Sequence, residues 1–443
     1  MKKIYGSAYD FSPIGYNLPS EYTRLASKCS LLETDERIWI YKPVGQSQGK
    51  GIFLFRKLSD LSYDSVAVVQ RYIENPLLIG GYKFDLRLYV CVPSYYPLTI
   101  YLYKEGIARF ATEKFSLGNL SDPLRHLTNF SLNKWGPGYS EKKERVGAGC
   151  KWSLRQLRRY LEQSGYRDWF LWQQVTCVII LTILSQSASI PKSSNCFEFF
   201  GFDILIDDNL KPWLLEVNVS PALSNDCEVD LDVKKPLLHD LFDLLGLPVR
   251  NTGLSLFTMW TSAKNMEDND DSTGFVHGRY SKGENSLGSE TLALVDVCSN
   301  TRHLVRQGSE GFSDHWHQYN TLLNEKILRH GFKGSVNDEY SANFVWDNGK
   351  DWRIPNKKEG GWIRIHPVTT MESTNSDVLR NSFMEPPPRV LDKQIKITVS
   401  YIQKYLKVAK EIQSQYGKQG DDICNEMLQR ALNINEEIWL PEK

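Results

Sequence analysis

The chain has 443 residues, with 53 Lys and Arg against 53 Asp and Glu and 41% hydrophobic residues. At about 150 residues per domain, that length suits about three compact units or one large core with attachments. Zero net charge excludes a polybasic nucleic-acid binder, whose affinity comes from neutralising phosphates over its whole surface; no nucleic-acid partner is expected.

The amino end, MKKIYGSAYDFSPIGY, has two lysines but no apolar run behind them, which is not the pattern of a signal peptide. Eight cysteines (Cys29, Cys91, Cys150, Cys177, Cys196, Cys227, Cys298 and Cys424) are scattered without a CxxC pair. Neither a zinc module nor a disulfide scaffold is indicated, and a reducing compartment is the simplest setting.

Residues 1–250 carry short β-branched and aromatic runs, RIWIYKP, GIFLF, VAVVQRYI, FDLRLYVCV, LTIYLYK, FEFFGFDILI and KPWLLEVNV, broken by Gly, Pro and Asn. Such runs read as strands of a large mixed sheet. Helical periodicity appears at Trp152–Gln163, Trp169–Ser185 and Lys234–Leu245. Strands and helices are interspersed, so the fold class is α/β or α+β. The longest apolar run, Val175–Leu184, is about half of the roughly 20 residues a membrane span requires. It reads as a buried helix, and no membrane partner is expected.

From Ser262 to Asn285 the chain turns to Asp, Asn, Ser, Gly and Lys, with too few large apolar residues to offset the entropy of ordering. The expected division is therefore a catalytic unit at 1–250, a flexible linker or insert at 251–300, and a partly helical extension at 301–443. Within that extension GGWIRIHP (Gly360–Pro367) reads as a buried strand. Val390–Tyr416 reads as an amphipathic helix whose Leu391, Ile395, Val399, Ile402, Leu406, Ala409 and Ile412 share one face, for the core or for docking.

Three clusters carry chemistry. In WIYKPVGQSQGKGIFLF (Trp39–Phe55), Gly45, Gly49 and Gly51 let backbone amides approach an anion, and Lys42 supplies a point charge. In GGYKFDLRLYV (Gly80–Val90), Lys83, Asp85 and Arg87 alternate with Phe84, Leu86 and Leu88, so period two puts the charges on one face. Such a row inside a hydrophobic sheet is costly unless ligand or metal charges complete it; an exposed edge strand is the alternative. In FEFFGFDILIDDNLKPWLLEVNVSPAL (Phe197–Leu223), two strands joined at Asp207–Asn209 form a hairpin that brings Asp203 near Glu216 and Asn218. Two carboxylates and an amide oxygen suit a hard divalent cation such as Mg²⁺ with nucleotide phosphates.

Between these lie YLYKEGIARFAT, with Arg109 in the strand after an expected Lys104-Glu105-Gly106 turn, and RHLTNFSLNK, with Thr128 and Asn129. Arg109 suits stabilisation of a transferring phosphoryl group. Together these are the parts an ATP-dependent ligase requires.

In their order and length, these motifs resemble the tubulin tyrosine ligase-like family over Tyr16–Leu247, and most of all its polyglutamylase branch. The resemblance implies an ATP-grasp fold that holds ATP and two Mg²⁺ between sheet lobes. Lys42 and Lys83 would contact the phosphates, Gln70, Arg71, Tyr72 and Ile73 would frame the adenine, and Ile40 and Leu215 would pack on the ring. Asp203, Glu216 and Asn218 would hold magnesium. Arg87 and Arg109, with Thr128 and Asn129, would orient the γ-phosphate and an acyl phosphate, and Asp85 would serve ATP and catalysis beside them. The implied reaction activates a glutamate carboxylate of a tubulin tail and joins it to free glutamate, in the cytoplasm, on the cytoskeleton, cilium or basal body. Glycine or tyrosine as donor, and an inactive microtubule-binding relative, stay open. Val219 in NVSP stands where chain-elongating members often have His, a lean toward branch initiation or an unusual specificity.

A basic stretch with Lys142, Lys143, Arg145, Lys151, Arg155, Arg158 and Arg159 against Glu144 reads either as a patch steering acidic tails or as a solvated helix face. Arg389–Lys418, with seven basic residues against Asp392 and Glu411, is a second such candidate.

Overall fold

The computed structural model describes residues 1–30, 37–46, 48–61, 66–139, 146–147, 149–191, 196–246, 350, 352, 354–367 and 388–443. The expected linker at 251–300, Cys298, and Lys142, Lys143 and Arg145 lie outside them.

Alternation decides the first sheet. Strands β1 (Gly15–Leu18), β2 (Trp39–Pro43), β3 (Phe53–Phe55) and β4 (Ala67–Arg71) pair antiparallel in the order β1-β4-β2-β3. Trp39 and Tyr41 face a core with Tyr16, Leu18, Phe55 and Val69, in which Leu25 of a helix at Tyr22–Ser30 is also buried. Ile40, one residue out of phase, faces the other side with Leu54, Tyr72 and Leu127.

The second sheet is larger. It runs β10 (Pro212–Val219), β9 (Glu198–Ile206), β6 (Tyr82–Tyr95), β7 (Leu98–Phe110), β12 (Trp362–His366), β11 (Lys358–Glu359), with β5 (Leu78–Ile79) beside β6 and β8 (Lys151–Ser153) beside β7. Among the described residues every pairing in it is antiparallel. Counting helices in chain order, α1 (Lys2–Tyr5), α2 (Tyr22–Ser30), α3 (Pro123–His126) and α4 (Phe130–Asn133) are peripheral, and α5 (Leu154–Gln163), α6 (Trp169–Ser187) and α7 (Glu228–Leu244) flank the sheet. The even residues Leu86, Leu88, Val90 and Val92 of β6 meet α5 and α6, whereas Tyr89 and Cys91 meet Val233, Leu237 and Leu241 of α7. Lys83, Asp85 and Arg87 share the α7 face but precede Tyr89. One half of that face is covered by α7; the charged residues line the other.

The run Val175–Leu184 is the middle of α6, which by length and composition alone could cross a membrane. Here its side chains are buried on nearly all sides, which is why it is apolar all round. Two expectations change. Lys104-Glu105-Gly106 is not a turn: β7 is continuous, and the register slips between Leu88↔Gly106 and Val90↔Leu102. A bulge forms there because Leu102 and Tyr103 pair with β12 while Ile107–Arg109 pair with β8, and because Gly106 approaches the Arg87 carbonyl so closely that a Cβ would lie 2.7 Å from it. Tyr405, rather than Leu406, fills the core from the last long helix.

That helix, α8 (Pro388–Tyr416), buries Ile395, Val399, Ile402, Ala409 and Ile412 in the core it shares with α6, and α9 (Asp421–Leu432) adds Cys424 and Leu428. Trp362 and Ile363 of GGWIRIHP are buried in β12, and the described stretches before residue 247 and after residue 349 form one compact unit. Gly360 turns the chain into β12 with φ +56°, and a Cβ there would lie 2.5 Å from Asp240 Cγ of α7. Asp240 in turn accepts from Gly361 N (2.7 Å) and the Tyr103 hydroxyl (3.0 Å). Gly360→Ala is therefore expected to destabilise the protein by about 2 kcal/mol, through backbone strain and displacement of Asp240, measured as the midpoint of urea unfolding.

Candidate active site

The hairpin of β9 and β10 is set by Asp207, whose Oδ1 accepts from Asn209 N and Lys211 N (both 2.9 Å) and whose Oδ2 accepts from Trp213 Nε1 (2.9 Å). That turn sets the pairs Pro212↔Ile206 to Leu214↔Ile204, and a bulge between Leu214 and Glu216 then shifts the register to Glu216↔Asp203 and Asn218↔Gly201. Next along the sheet, Asp203 faces Arg87, and Asp85 faces Arg109, which faces Lys151. Directly opposed residues project to the same face. The expected convergence is thus built from backbone pairing, and β6 is a central strand, not an edge.

Within the row, Arg87 grips Asp203 with two bonds (Nε–Oδ1 2.5 Å, Nη2–Oδ2 3.1 Å). Arg109 grips Asp85 likewise (2.8 and 2.6 Å) and reaches Asp203 Oδ2 at 2.8 Å. Thr128 Oγ1 donates to Asp85 Oδ2 at 2.7 Å. Gly201 leaves the space for Arg87, since a Cβ there would lie 3.1 Å from Arg87 Cδ and 2.8 Å from Pro221. Burial alone would push the Asp203 carboxyl up, but the guanidiniums of Arg109 and Arg87 hold it well below the usual carboxylate range. Burial would lower Arg109, but the carboxylates of Asp203 and Asp85 hold it well above its ordinary value.

Glu216 differs. It reaches open solvent, accepts from Asn218 Nδ2 at 3.2 Å, and its carboxyl is pushed up by its partly desolvated cleft and by the Asp203 carboxylate beside it. Two acids contacting each other plus an amide oxygen are hard donors in need of a cation, so this set fits magnesium. Among the described residues no group of three or more His, Cys, Asp or Glu could hold a metal, so a cation here would have only these two carboxylates and the amide from the protein.

Lys42 and Lys83 flank the row. Lys42 Nζ donates to Gln70 Oε1 (2.9 Å) and to the Leu215 carbonyl (3.5 Å) at the β10 bulge, and its burial lowers its pKa even though Glu216 and Asp203 pull the other way. Gln70 Nε2 donates to the Pro13 carbonyl at 3.4 Å. Lys83, 6% exposed, donates to the Tyr72 hydroxyl (2.9 Å) and the His126 carbonyl (2.7 Å), and burial lowers its pKa to about 7. Ile40, Tyr72 and Ile73 are buried, and Arg71 turns to Glu74 at 3.1 Å. Gly45, Gly49 and Gly51 all have positive φ. Gly49 lies so close to Asn129 that a Cβ would meet its Oδ1 at 2.9 Å, so the glycine hairpin and the Thr128–Asn129 segment pack together.

Asn133 went unread in the sequence. Fully buried, it accepts from Thr112 N and Oγ1 (both 2.8 Å) and donates to the carbonyls of Leu127 (2.8 Å) and Asn129 (3.0 Å), which bracket Thr128. Its signal was an amide four residues after Asn129, one helical turn along. Asn133→Ala is expected to cost about 3 kcal/mol in denaturant unfolding, because a buried N–H and two carbonyls lose partners.

The basic stretch reads differently in three dimensions. Lys151 is held by Asp230 at 2.6 Å, Arg158 by Asp168 at 3.0 Å and Asp421 at 2.7 Å, and Arg155 by Glu442. Lys151 and Arg158 are thus buried ties to α7, to the start of α6 and to α9, and are not free to steer a tail, whereas Arg155 makes an exposed pair near the carboxyl end.

The sequence profile of the tubulin-tyrosine ligase family matches residues 1–252. Probable tubulin polyglutamylase TTLL2 of Homo sapiens is 50% identical over 259 residues, 57% of this chain and 44% of that protein. The Mus musculus protein of the same name is 50% identical over 252 residues, 56% of this chain and 47% of its own. Tubulin polyglutamylase TTLL5 of Mus musculus is 43% identical over 251 residues, 54% of this chain and 19% of its own. The chain thus spans less than half the length of these three curated relatives.

Proposed function

The chain belongs to the tubulin-tyrosine ligase family, and from that premise we propose that it is an ATP- and magnesium-dependent ligase that adds glutamate to glutamate side chains of tubulin carboxyl-terminal tails. The observation that carries this reading is the charged row, in which Asp203 and Glu216 converge within one face with Arg87, Asp85 and Arg109. In such a reaction ATP supplies the phosphoryl group that activates the acceptor carboxylate, and magnesium neutralises phosphate charge. Asp203, Glu216 and Asn218 would hold the metal. Lys42 and Lys83 bind phosphate oxygens, Ile40 and Leu215 pack on the adenine framed by Gln70–Ile73, and Arg87 and Arg109 stabilise anionic oxygen, oriented by Asp85 with Thr128 and Asn129 beside them. Exposed lysines along α8, among them Lys393, Lys404 and Lys407, support an acidic partner such as a tubulin tail. The setting is the cytoskeleton, in cytoplasm, cilium or basal body.

The test is mass spectrometry of tubulin tails after incubation with the purified chain, ATP, magnesium and each of glutamate, glycine and tyrosine. Mass increments of glutamate alone support the reading. Increments of glycine or tyrosine would reassign the donor. Salt-sensitive microtubule co-sedimentation with no increment would point to a non-catalytic binder.

A further inference from the structure

We propose that His126 is a positioning residue for the nucleotide: by fixing the direction of the Tyr72 hydroxyl, it aims the Lys83 ammonium at the phosphates. The inference rests on the ligase reading above and deepens it.

The chain of hydrogen bonds has one consistent direction. His126 Nε2 lies 2.7 Å from the Asn119 carbonyl, and a carbonyl can only accept. Nε2 therefore carries the proton of the neutral ring, and Nδ1 is an acceptor. Tyr72 Oη lies 3.1 Å from that Nδ1, so the phenol donates its single proton to His126. Its lone pairs are then left for Lys83 Nζ, 2.9 Å away. A second ammonium proton goes to the His126 carbonyl at 2.7 Å. No acceptor among the described residues is recorded for the third, so the orientation of the ammonium is set and one donor remains for a ligand.

The elements that meet here come from different parts of the fold. Tyr72 follows β4 of the smaller sheet, Lys83 lies on β6 of the larger, and His126 ends α3. His126 is 2% exposed, and its ring is held edge-on by Tyr72 and Phe115, both with centroids at 5.7 Å and planes at 79°. Lys83 Nζ also sits 4.5 Å from the Tyr72 ring centroid. With the opposite tautomer, Nδ1 would donate to the phenol and the phenolic proton would compete with Lys83 for the same space. The imidazole touches none of the residues expected to hold the metal or the acyl phosphate, so it acts only through Tyr72 and its own carbonyl.

The test compares His126→Asn, whose Oδ1 can replace Nδ1 as acceptor, with His126→Leu, which keeps bulk but accepts nothing, and with Tyr72→Phe. His126→Leu and Tyr72→Phe are each expected to raise KM for ATP about tenfold, the size of one hydrogen bond, with KM for glutamate unchanged. Their double variant should be no worse than either alone, because both cut the same chain. His126→Asn should stay within about threefold of wild type. In the ligand-free protein, ¹⁵N shifts should show the His126 proton on Nε2. Tyr72→Phe keeps the test open if His126→Leu does not fold.

Equal defects in His126→Asn and His126→Leu, additive effects in the double variant, or a proton on Nδ1 would each overturn the inference while ATP still binds. Wild-type protein that binds no ATP would instead sink the ligase reading, and the inference with it.

Discussion

Asp203→Asn is expected to abolish glutamate incorporation and to lower the unfolding free energy by about 3–5 kcal/mol, whereas Glu216→Gln should abolish incorporation with no loss of stability. Both residues belong to the proposed magnesium set, yet their surroundings are opposite. Asp203 is 2% exposed and is the common acceptor of Arg87 and Arg109. Neutralising it leaves Arg87 without its carboxylate and Arg109 with Asp85 alone, and breaking a buried pair on one side strands a desolvated charge. Glu216 is exposed, and its pKa is pushed up first by partial desolvation and then by the Asp203 carboxylate beside it; removing its charge relieves both penalties. Guanidinium unfolding together with radiolabelled glutamate incorporation separates the two. If Asp203→Asn melted like wild type, the ion-pair row would not be the frame of the site. If Glu216→Gln kept full incorporation, the metal assignment would be wrong.

Nucleotide binding at pH 8 is expected to draw a proton onto the protein, and Lys83→Met should both abolish that uptake and weaken ATP by at least about tenfold. Burial lowers Lys83 to a pKa of about 7 in the free protein. One unit above that value, on the order of nine-tenths of the amine is neutral. Phosphate oxygens favour the ammonium, so binding raises the pKa and captures the proton from solvent. At pH 6 the amine is already charged and uptake vanishes. Calorimetric titration with Mg·ATP in buffers of different ionisation enthalpy gives the proton number directly. Uptake that persists in Lys83→Met would assign the titrating group elsewhere. For folding, the same shift means that the unfolded chain binds more protons than the native one between pH 7 and the ordinary lysine value of 10.5, so Lys83 makes stability rise with pH across that window.

Much of the site was legible because it is made of local rules. Period two put Lys83, Asp85 and Arg87 on one face whatever the strand paired with, and a turn at Asp207–Asn209 brought Asp203 into the neighbourhood of Glu216, although the bulge between Leu214 and Glu216 that seats the two opposite each other was not legible. The glycine hairpin was equally readable, since Gly45, Gly49 and Gly51 punctuate two apolar strands. Less legible was Lys104-Glu105-Gly106, where a turn-like tripeptide runs through the middle of β7. A bulge there depends on two different neighbours, β12 and β8, that the tripeptide itself does not encode. His126 and Asn133 were passed over within a motif that was otherwise read, because a buried polar side chain is recognised by its partners, and those lie at Tyr72, Thr112 and Asn119.

The amino-acid order alone determined which side chains share a face, where the hairpin turns, and that an all-round apolar helix had to be buried. Only the folded chain decided that α7 covers Tyr89 and Cys91 but stops short of Arg87, that a strand from beyond residue 349 closes onto β7, and that Lys151 and Arg158 are spent on partner carboxylates. The division is physical: backbone geometry repeats every two or 3.6 residues and is written locally. Coverage, ion pairing and desolvation depend on segments hundreds of residues apart, whose meeting no short window of sequence contains.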